Sequence, residues 1–372
     1  SPGTAGDFYG ERLKGAYHTM SRPKPAATRP NRRCSTLGRA AVFPVVVWSD
    51  NAGREYPRLK RALRMKKLTG GLFGLAWLIL GLVGFSHADP LGRVQDCKIA
   101  TQTVTLDNGV LHYNRAGTGR PILLLHGLFA QKEQWNDFLC LLSAAGHAAI
   151  APDLPGYGQS LAFPLAAYSL DRQVALLHQF VDRLGLARFE LAGNSLGGTI
   201  AALYARRHPQ HVHTLAFVGA PLGITEWGPR VKAAFHQGIN PFIPTDLAQF
   251  DLEMRLLFVN PPAIPESVKT ARVKAYVEHN RHYQQVWNIV NLDDTVLYPP
   301  RRSAIPTLIL WGKQDKIFAV SGADRLHRRF PRGKLVWLTD AGHLPFLENP
   351  GETAAIYLDF LRTHTAPRRP GR

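Results

Sequence analysis

From residue 101 to residue 361 the chain alternates between short apolar runs and stretches whose apolar positions recur every three or four residues. Residues 101–106 and 110–114 are β-prone and flank Asp107-Asn108-Gly109, a hairpin signal. Residues 121–125 are continuously apolar, as in a strand covered on both faces. Residues 135–145 predict a helix, 147–151 a strand and 169–184 a helix with apolar residues at three-and-four spacing. Residues 189–192 predict a strand, 197–207 an alanine-rich helix and 214–219 another strand. After a long interval come strands at 307–311 and 334–338, a helix near 322–330 between them, and a closing helix at 353–363. The alternation predicts an α/β fold, with a mostly parallel sheet, right-handed crossovers and helices on both faces. The interval at about 222–300 breaks the alternation with helical patches, proline pairs and many aromatics, and predicts an inserted helical cap.

Upstream the pattern is different. Residues 1–64 hold no sustained period, and Pro and Arg dominate 21–39. The character changes at Met65, where a basic Met65-Lys66-Lys67 precedes an apolar run over 68–85. Ser86-His87-Ala88 then places small residues three and one before Asp89, completing the three regions of a secretory signal peptide in order. The expectation is therefore a disordered extension or upstream frame over 1–64, a signal peptide or membrane anchor over 65–88, and a folded α/β domain over 89–372. It places the protein outside the cytoplasm, periplasmic or secreted, or else held at a membrane by residues 68–85. That run sits at the lower limit of a spanning helix.

Ligands in open α/β sheets bind beyond the carboxyl ends of the strands, so reactive residues are sought there. Gly193-Asn194-Ser195-Leu196-Gly197-Gly198 lies between a predicted strand and a predicted helix, the setting of a nucleophile elbow. The turn is tight, so the residues two before and two after the serine must lack bulk. A serine hydroxyl needs a base, and the base needs an orienting carboxylate. Asp315 and His343 each follow a late predicted strand, in the chain order Ser, Asp, His. Asp340 competes with Asp315 but stands only three residues before His343, so it needs a tight local turn to reach the imidazole. The candidate oxyanion donors are the backbone amides of Leu196, after the nucleophile, and of Leu128, in the loop that follows residues 121–125. His126 in that loop reads as structural. Phe129 and Trp227 are the candidate substrate-binding residues.

These residues carry a resemblance. His126-Gly127-Leu128, Pro152-Asp153-Leu154-Pro155-Gly156-Tyr157-Gly158, the Ser195 elbow, Trp311-Gly312-x-x-Asp315 and Gly342-His343 together resemble the α/β-hydrolase superfamily over residues 101–361. Within it the chain is similar to bacterial cold-adapted lipases and the monoacylglycerol lipase group. Gln131-Lys132-Glu133-Gln134-Trp135 and Pro261-Pro262-x-Ile264-Pro265-x-Ser267-Val268-Lys269 carry that closer likeness. The resemblance implies an α/β-hydrolase fold, a serine esterase or lipase with an acyl-enzyme intermediate, and Leu128 with Leu196 as the oxyanion pair. It implies a small-molecule or lipid ester as substrate, and neither metal nor organic cofactor. Acylglycerols are the expected esters. The rivals are a carbon–carbon bond hydrolase of ring-cleavage diketones and a catalytically silent binding protein on the same fold.

Composition changes this picture little. The formal net charge is +18, but 13 Lys or Arg against four Asp or Glu fall in residues 1–64, so half the excess comes from a stretch that does not read as a domain. No nucleic-acid-binding motif accompanies it, and a nucleic-acid partner is not expected. Arg301-Arg302 and Arg368-Arg369 suit attraction to an anionic membrane surface, although such runs are more often solvated. Trp227, Phe235, Phe242, Phe250, Phe258, Tyr276 and Trp287 in the cap offer apolar surface for an acyl chain; for most of them packing within the cap is the expectation. Of the three cysteines, Cys97 and Cys140 remain if the chain is cut after Ala88; in an oxidising compartment they could pair, but the sequence does not say whether they meet, and Cys140, in an apolar 138–142 run, reads more readily as a residue on a buried helix face.

Overall fold

The computed structural model describes residues 97–293 and 303–365. The expected extension over 1–64, the signal-like segment at 65–88, and the arginine pairs at 301–302 and 368–369 lie outside the described residues. Among the described residues no helix is long and apolar enough to cross a membrane.

The chain opens with a hairpin, β1 (Ala100–Leu106) and β2 (Gly109–Ala116), with Asn108 at a positive φ of 67° in the turn. β3 (Arg120–Leu125), a 3-10 turn (Lys132–Trp135) and α1 (Asn136–Ala144) follow. Next come β4 (His147–Pro152), α2 (Leu170–Arg183), β5 (Phe189–Ser195), α3 (Leu196–Arg207) and β6 (Val212–Pro221). Four cap helices are α4 (Pro229–His236), α5 (Leu247–Leu257), α6 (Glu266–Glu278) and α7 (Asn280–Leu292). The chain then returns through β7 (Thr307–Gly312), α8 (Gly322–Arg329), β8 (Lys334–Leu338), a single turn α9 (Pro345–Glu348) and α10 (Pro350–Thr365).

The strands form one eight-stranded sheet in the order β1-β2-β4-β3-β5-β6-β7-β8. β1–β2 and β2–β4 are antiparallel, and the other five pairs are parallel. The two-residue period of a strand sorts the apolar runs onto two faces. Ile122, Leu124, Leu308 and Leu310 join one buried cluster, covered by Phe138 and Leu142 of α1 and by Tyr357 and Phe360 of α10. Leu123, Leu125, Ile309 and Trp311 join the other, covered by Phe180 of α2, Tyr204 of α3 and Leu326 of α8. Both faces are therefore sealed, which is why the central strands read as unbroken hydrophobic runs.

One expectation is corrected. Cys97 and Cys140 form a disulfide, with Cα atoms 5.5 Å apart. In α1 the core face is taken by Phe138, Leu139 and Leu142, so Cys140 falls at the edge of that face, half-buried, where Cys97 reaches it. The helix expected from residue 135 starts one residue later, after the 3-10 turn.

Candidate active site

The parallel strands β3, β5, β6, β7 and β8 bring their carboxyl ends to one rim. β5 runs directly into α3, and Ser195 at the junction has φ 50° and ψ −119°. A non-glycine residue in that region is strained and persists only where its surroundings hold it. A Cβ on Gly193 would overlap the Gly197 carbonyl, and one on Gly197 would overlap the carbonyls of Leu125 and His126. Both flanking glycines are thus required by close backbone approach. Asn194 Nδ2 donates to the carbonyls of Val218 (2.8 Å) and His343 (3.2 Å), tying the elbow to β6 and to the last loop.

That loop carries His343, which is buried, and it pairs with Asp315 from the loop after β7. Asp315 Oδ2 lies 3.2 Å from His343 Nδ1, while Oδ1 accepts from the amides of Ile317 (2.8 Å) and Phe318 (3.1 Å). The carboxylate is thereby oriented by two backbone donors before it meets the imidazole. Asp340, its rival, is exposed.

Sequence reasoning missed Glu348, which holds the histidine loop from below. Its Oε1 accepts from the Gly342 amide and its Oε2 from the Val259 amide, both at 2.7 Å. Burial pushes this carboxyl up, and the backbone donors pull it back. The His343 amide donates to the Leu257 carbonyl at the end of α5 (3.2 Å), so cap and histidine loop are joined.

The loop after β3 is built on two buried polar groups. His126 Nε2 accepts from the Leu154 amide (2.9 Å) and its Nδ1 donates to the Gly127 carbonyl (2.8 Å), consistent with the structural role read from the sequence. Burial holds its pKa down to about 4, so the ring stays neutral. Lys132, 1% exposed, sends its ammonium to Asp153 (2.9 Å), Gln159 (2.7 Å) and Glu133 (2.7 Å). Asp153 also accepts from the Lys132 amide (2.7 Å) and the Gln159 amide (2.9 Å). The Leu196 amide opens α3, among the N-terminal amides that have no partner within a helix.

Ser195, His343, Leu128, Phe129 and Trp227 line one cavity. Leu196 follows Ser195 and is buried. Of the seven cap aromatics, Trp227, Phe242, Phe250, Phe258 and Tyr276 line the same cavity, whereas most were expected only to pack within the cap. Trp227 stacks on Phe318 (4.9 Å) and lies near Phe242 (5.4 Å), so the aromatic rings of this wall pack on one another. Among the described residues no cluster of three or more His, Cys, Asp or Glu is placed to hold a metal ion.

A family model for the alpha/beta hydrolase fold matches residues 120–350. The chain belongs to the α/β hydrolase family. Monoacylglycerol lipase ABHD6 of Homo sapiens is similar, 30% identical over 262 residues that cover 66% of this chain and 77% of the relative. Lipase 3 of Moraxella sp. (strain TA144) is 26% identical over 269 residues, covering 70% of this chain and 84% of the relative. Among solved structures, a membrane phospholipase A described as a bacterial virulence factor aligns with a TM-score of 0.67 and 28% identity, over 80% of this chain and 92% of that one. In this α/β hydrolase the family match runs from β3 past His343, so it takes in every loop described above.

Proposed function

We propose that the protein is a serine hydrolase of carboxylic esters, with lipid esters such as acylglycerols as its substrate class. The observation that carries this reading is a serine held at positive φ that shares a cavity with His343, whose imidazole is paired with Asp315 on the same rim. Ser195 Oγ attacks the ester carbonyl while His343 Nε2 takes its proton. The negative oxygen of the tetrahedral intermediate receives the amides of Leu128 and Leu196. As the carbon–oxygen bond breaks, His343 returns the proton to the leaving alcohol, and the acyl group remains on Ser195. Water, deprotonated by His343, attacks the acyl-enzyme; the acid leaves and Ser195 regains its proton. Asp315 keeps the imidazole oriented and stabilises its cation.

The substrate class rests on the apolar wall and on relatives named as lipases. Each CH2 of an acyl chain gains about 0.8 kcal/mol on burial, which favours lipid esters in a cavity walled by Phe129, Trp227, Phe242 and Phe250. An exported location is proposed with it, supported by the Cys97–Cys140 disulfide, because such bonds persist in oxidising compartments.

The direct test is Ser195→Ala assayed on p-nitrophenyl butyrate. Turnover should fall on the order of a million-fold, to background, with the fold unchanged. A fluorophosphonate should label Ser195 and no other residue, as read by peptide mass. Turnover retained by Ser195→Ala would overturn the assignment.

A further inference from the structure

Three described residues other than glycine hold a positive φ: Asn108, Phe129 and Ser195. Asn108 turns the first hairpin, where asparagine tolerates that conformation, and Ser195 is the elbow serine. Phe129 has no such reason. Its φ of 54° lies in the left-handed region, where a bulky side chain crowds its own backbone. Phe129 is the third residue of a turn closed by the Ala130 amide on the Gly127 carbonyl (3.3 Å). A positive φ at that position normally calls for Gly or Asn. The turn abuts the nucleophile, since a Cβ on Gly127 would stand 3.2 Å from the Ser195 Cβ. Its second residue is Leu128, whose amide is the proposed oxyanion donor. The peptide joining Leu128 to Phe129 turns over if φ at Phe129 changes sign, and a donor one residue away loses its aim.

A strained backbone persists only where its surroundings hold it. Phe129 is 6% exposed, and its ring meets three others. Tyr283 meets it edge-on with centroids 5.2 Å apart, Trp287 stacks on it at 6.5 Å, and Tyr157 lies tilted at 6.3 Å. Tyr283 and Trp287 stand four residues apart on α7, so they share one face of that helix. The helix is fastened to the α/β body before and after this face. His282 Nε2 donates to the Gly156 carbonyl (2.8 Å), and Asp293 at the end of α7 accepts from the Leu170 amide (2.7 Å). Tyr283 and Trp287 are not among the residues that line the cavity, so contact with substrate does not account for their placement.

We infer that Tyr283 and Trp287 are positioning residues for the reaction. Through the Phe129 ring they hold its backbone in the left-handed region, and that conformation aims the Leu128 amide at the oxyanion. The inference rests on Ser195 being the nucleophile and Leu128 a donor, and adds that cap helix α7 sets one half of the oxyanion receptor. The cap then governs the rate of the chemical step as well as the choice of substrate.

The test separates kcat from KM on p-nitrophenyl butyrate. Tyr283→Leu and Trp287→Leu should each lower kcat about tenfold or more while KM moves less than about threefold, because the oxyanion contact is made only in the transition state. Tyr283→Phe and Trp287→Phe keep a ring and should restore most of the loss. An octyl trifluoromethyl ketone adds to the Ser195 oxygen as a hemiketal whose oxyanion fills the same receptor. Its affinity should fall in step with kcat in the leucine variants, while octyl methyl ketone binds as before. Phe129 itself gives the sharpest contrast. Phe129→Gly loses ring and strain together, whereas Phe129→Ala loses the ring and keeps the strain, so the glycine variant should retain about tenfold more kcat. In urea, with no turnover needed, the glycine variant should also show the higher midpoint. Wild type that cleaves no ester and binds both ketones alike would mean that the nucleophile assignment has failed. With wild type active, leucine variants that keep kcat and trifluoromethyl ketone affinity would overturn the positioning role. So would Phe129→Ala matching or exceeding Phe129→Gly in kcat and in midpoint.

Discussion

At single residues, burial keeps His126 and Glu253 neutral at pH 7, yet the two groups push stability in opposite directions as pH changes. His126 falls from 6.5 to about 4, so the unfolded chain takes up a proton first. Its contribution is present above pH 6.5 and lost as pH drops toward 4. Glu253 rises from 4.5 to about 8, so the folded state holds its proton longer. Its contribution is present below pH 4.5 and lost as pH climbs through 8. The two oppose each other between pH 4.5 and 6.5, and Glu253 alone acts from 6.5 to 8. Urea midpoints should therefore decline over that upper window in wild type and flatten there in Glu253→Gln; an equal decline in both would reject the account. His126, Ser195, Asp315 and His343 were legible because strand ends and tight glycine turns mark them. Glu253 left a fainter signal. It sits three residues after Phe250 and three before Leu256, both buried, so a carboxyl occupies the apolar face of α5.

Among the elements, the strands were readable because burial on both faces leaves continuous apolar runs, and their ends fixed where the reactive loops fall. The cap was readable as helical, but the bounds and faces of its four helices were not. α6 buries only Tyr276, so its residues carry no apolar stripe to mark a face. The 3-10 turn at Lys132–Trp135 was hidden for another reason: a lysine at its first position looks like surface, and its burial depends on Asp153, 21 residues away. That pairing clamps the β3 loop to the segment after β4 and predicts an order of damage. Asp153→Leu removes the acceptor for the buried Lys132 ammonium and for the backbone amides of Lys132 and Gln159, and should cost about 3–5 kcal/mol. Lys132→Met leaves Asp153 its two amide donors and should cost less. Equilibrium denaturation of the two variants reads the order directly, and the reverse order would show that the ammonium rather than the carboxylate organises the loop.

For the whole molecule, the Cys97–Cys140 bond joins the start of the described chain to α1 across 43 residues. Closing a loop of that length lowers the entropy of the unfolded chain, worth about 4 kcal/mol in the chain-entropy model. The double variant Cys97→Ser/Cys140→Ser should lose stability on that order in guanidinium denaturation, and wild type in reductant should match it. The bond was not legible because pairing depends on where Cys140 falls around α1, which a run of apolar residues does not specify. It also gives the exported reading a count to meet. Cys34 is the third cysteine and lies in the upstream stretch. Protein recovered from outside the cytoplasm and denatured without reductant should show no free thiol if the chain begins after Ala88, and one if residues 1–64 are retained unpaired. Two or three free thiols would show that Cys97 and Cys140 are not joined in that protein and remove the disulfide as support for export, while leaving the chemistry at Ser195 untouched.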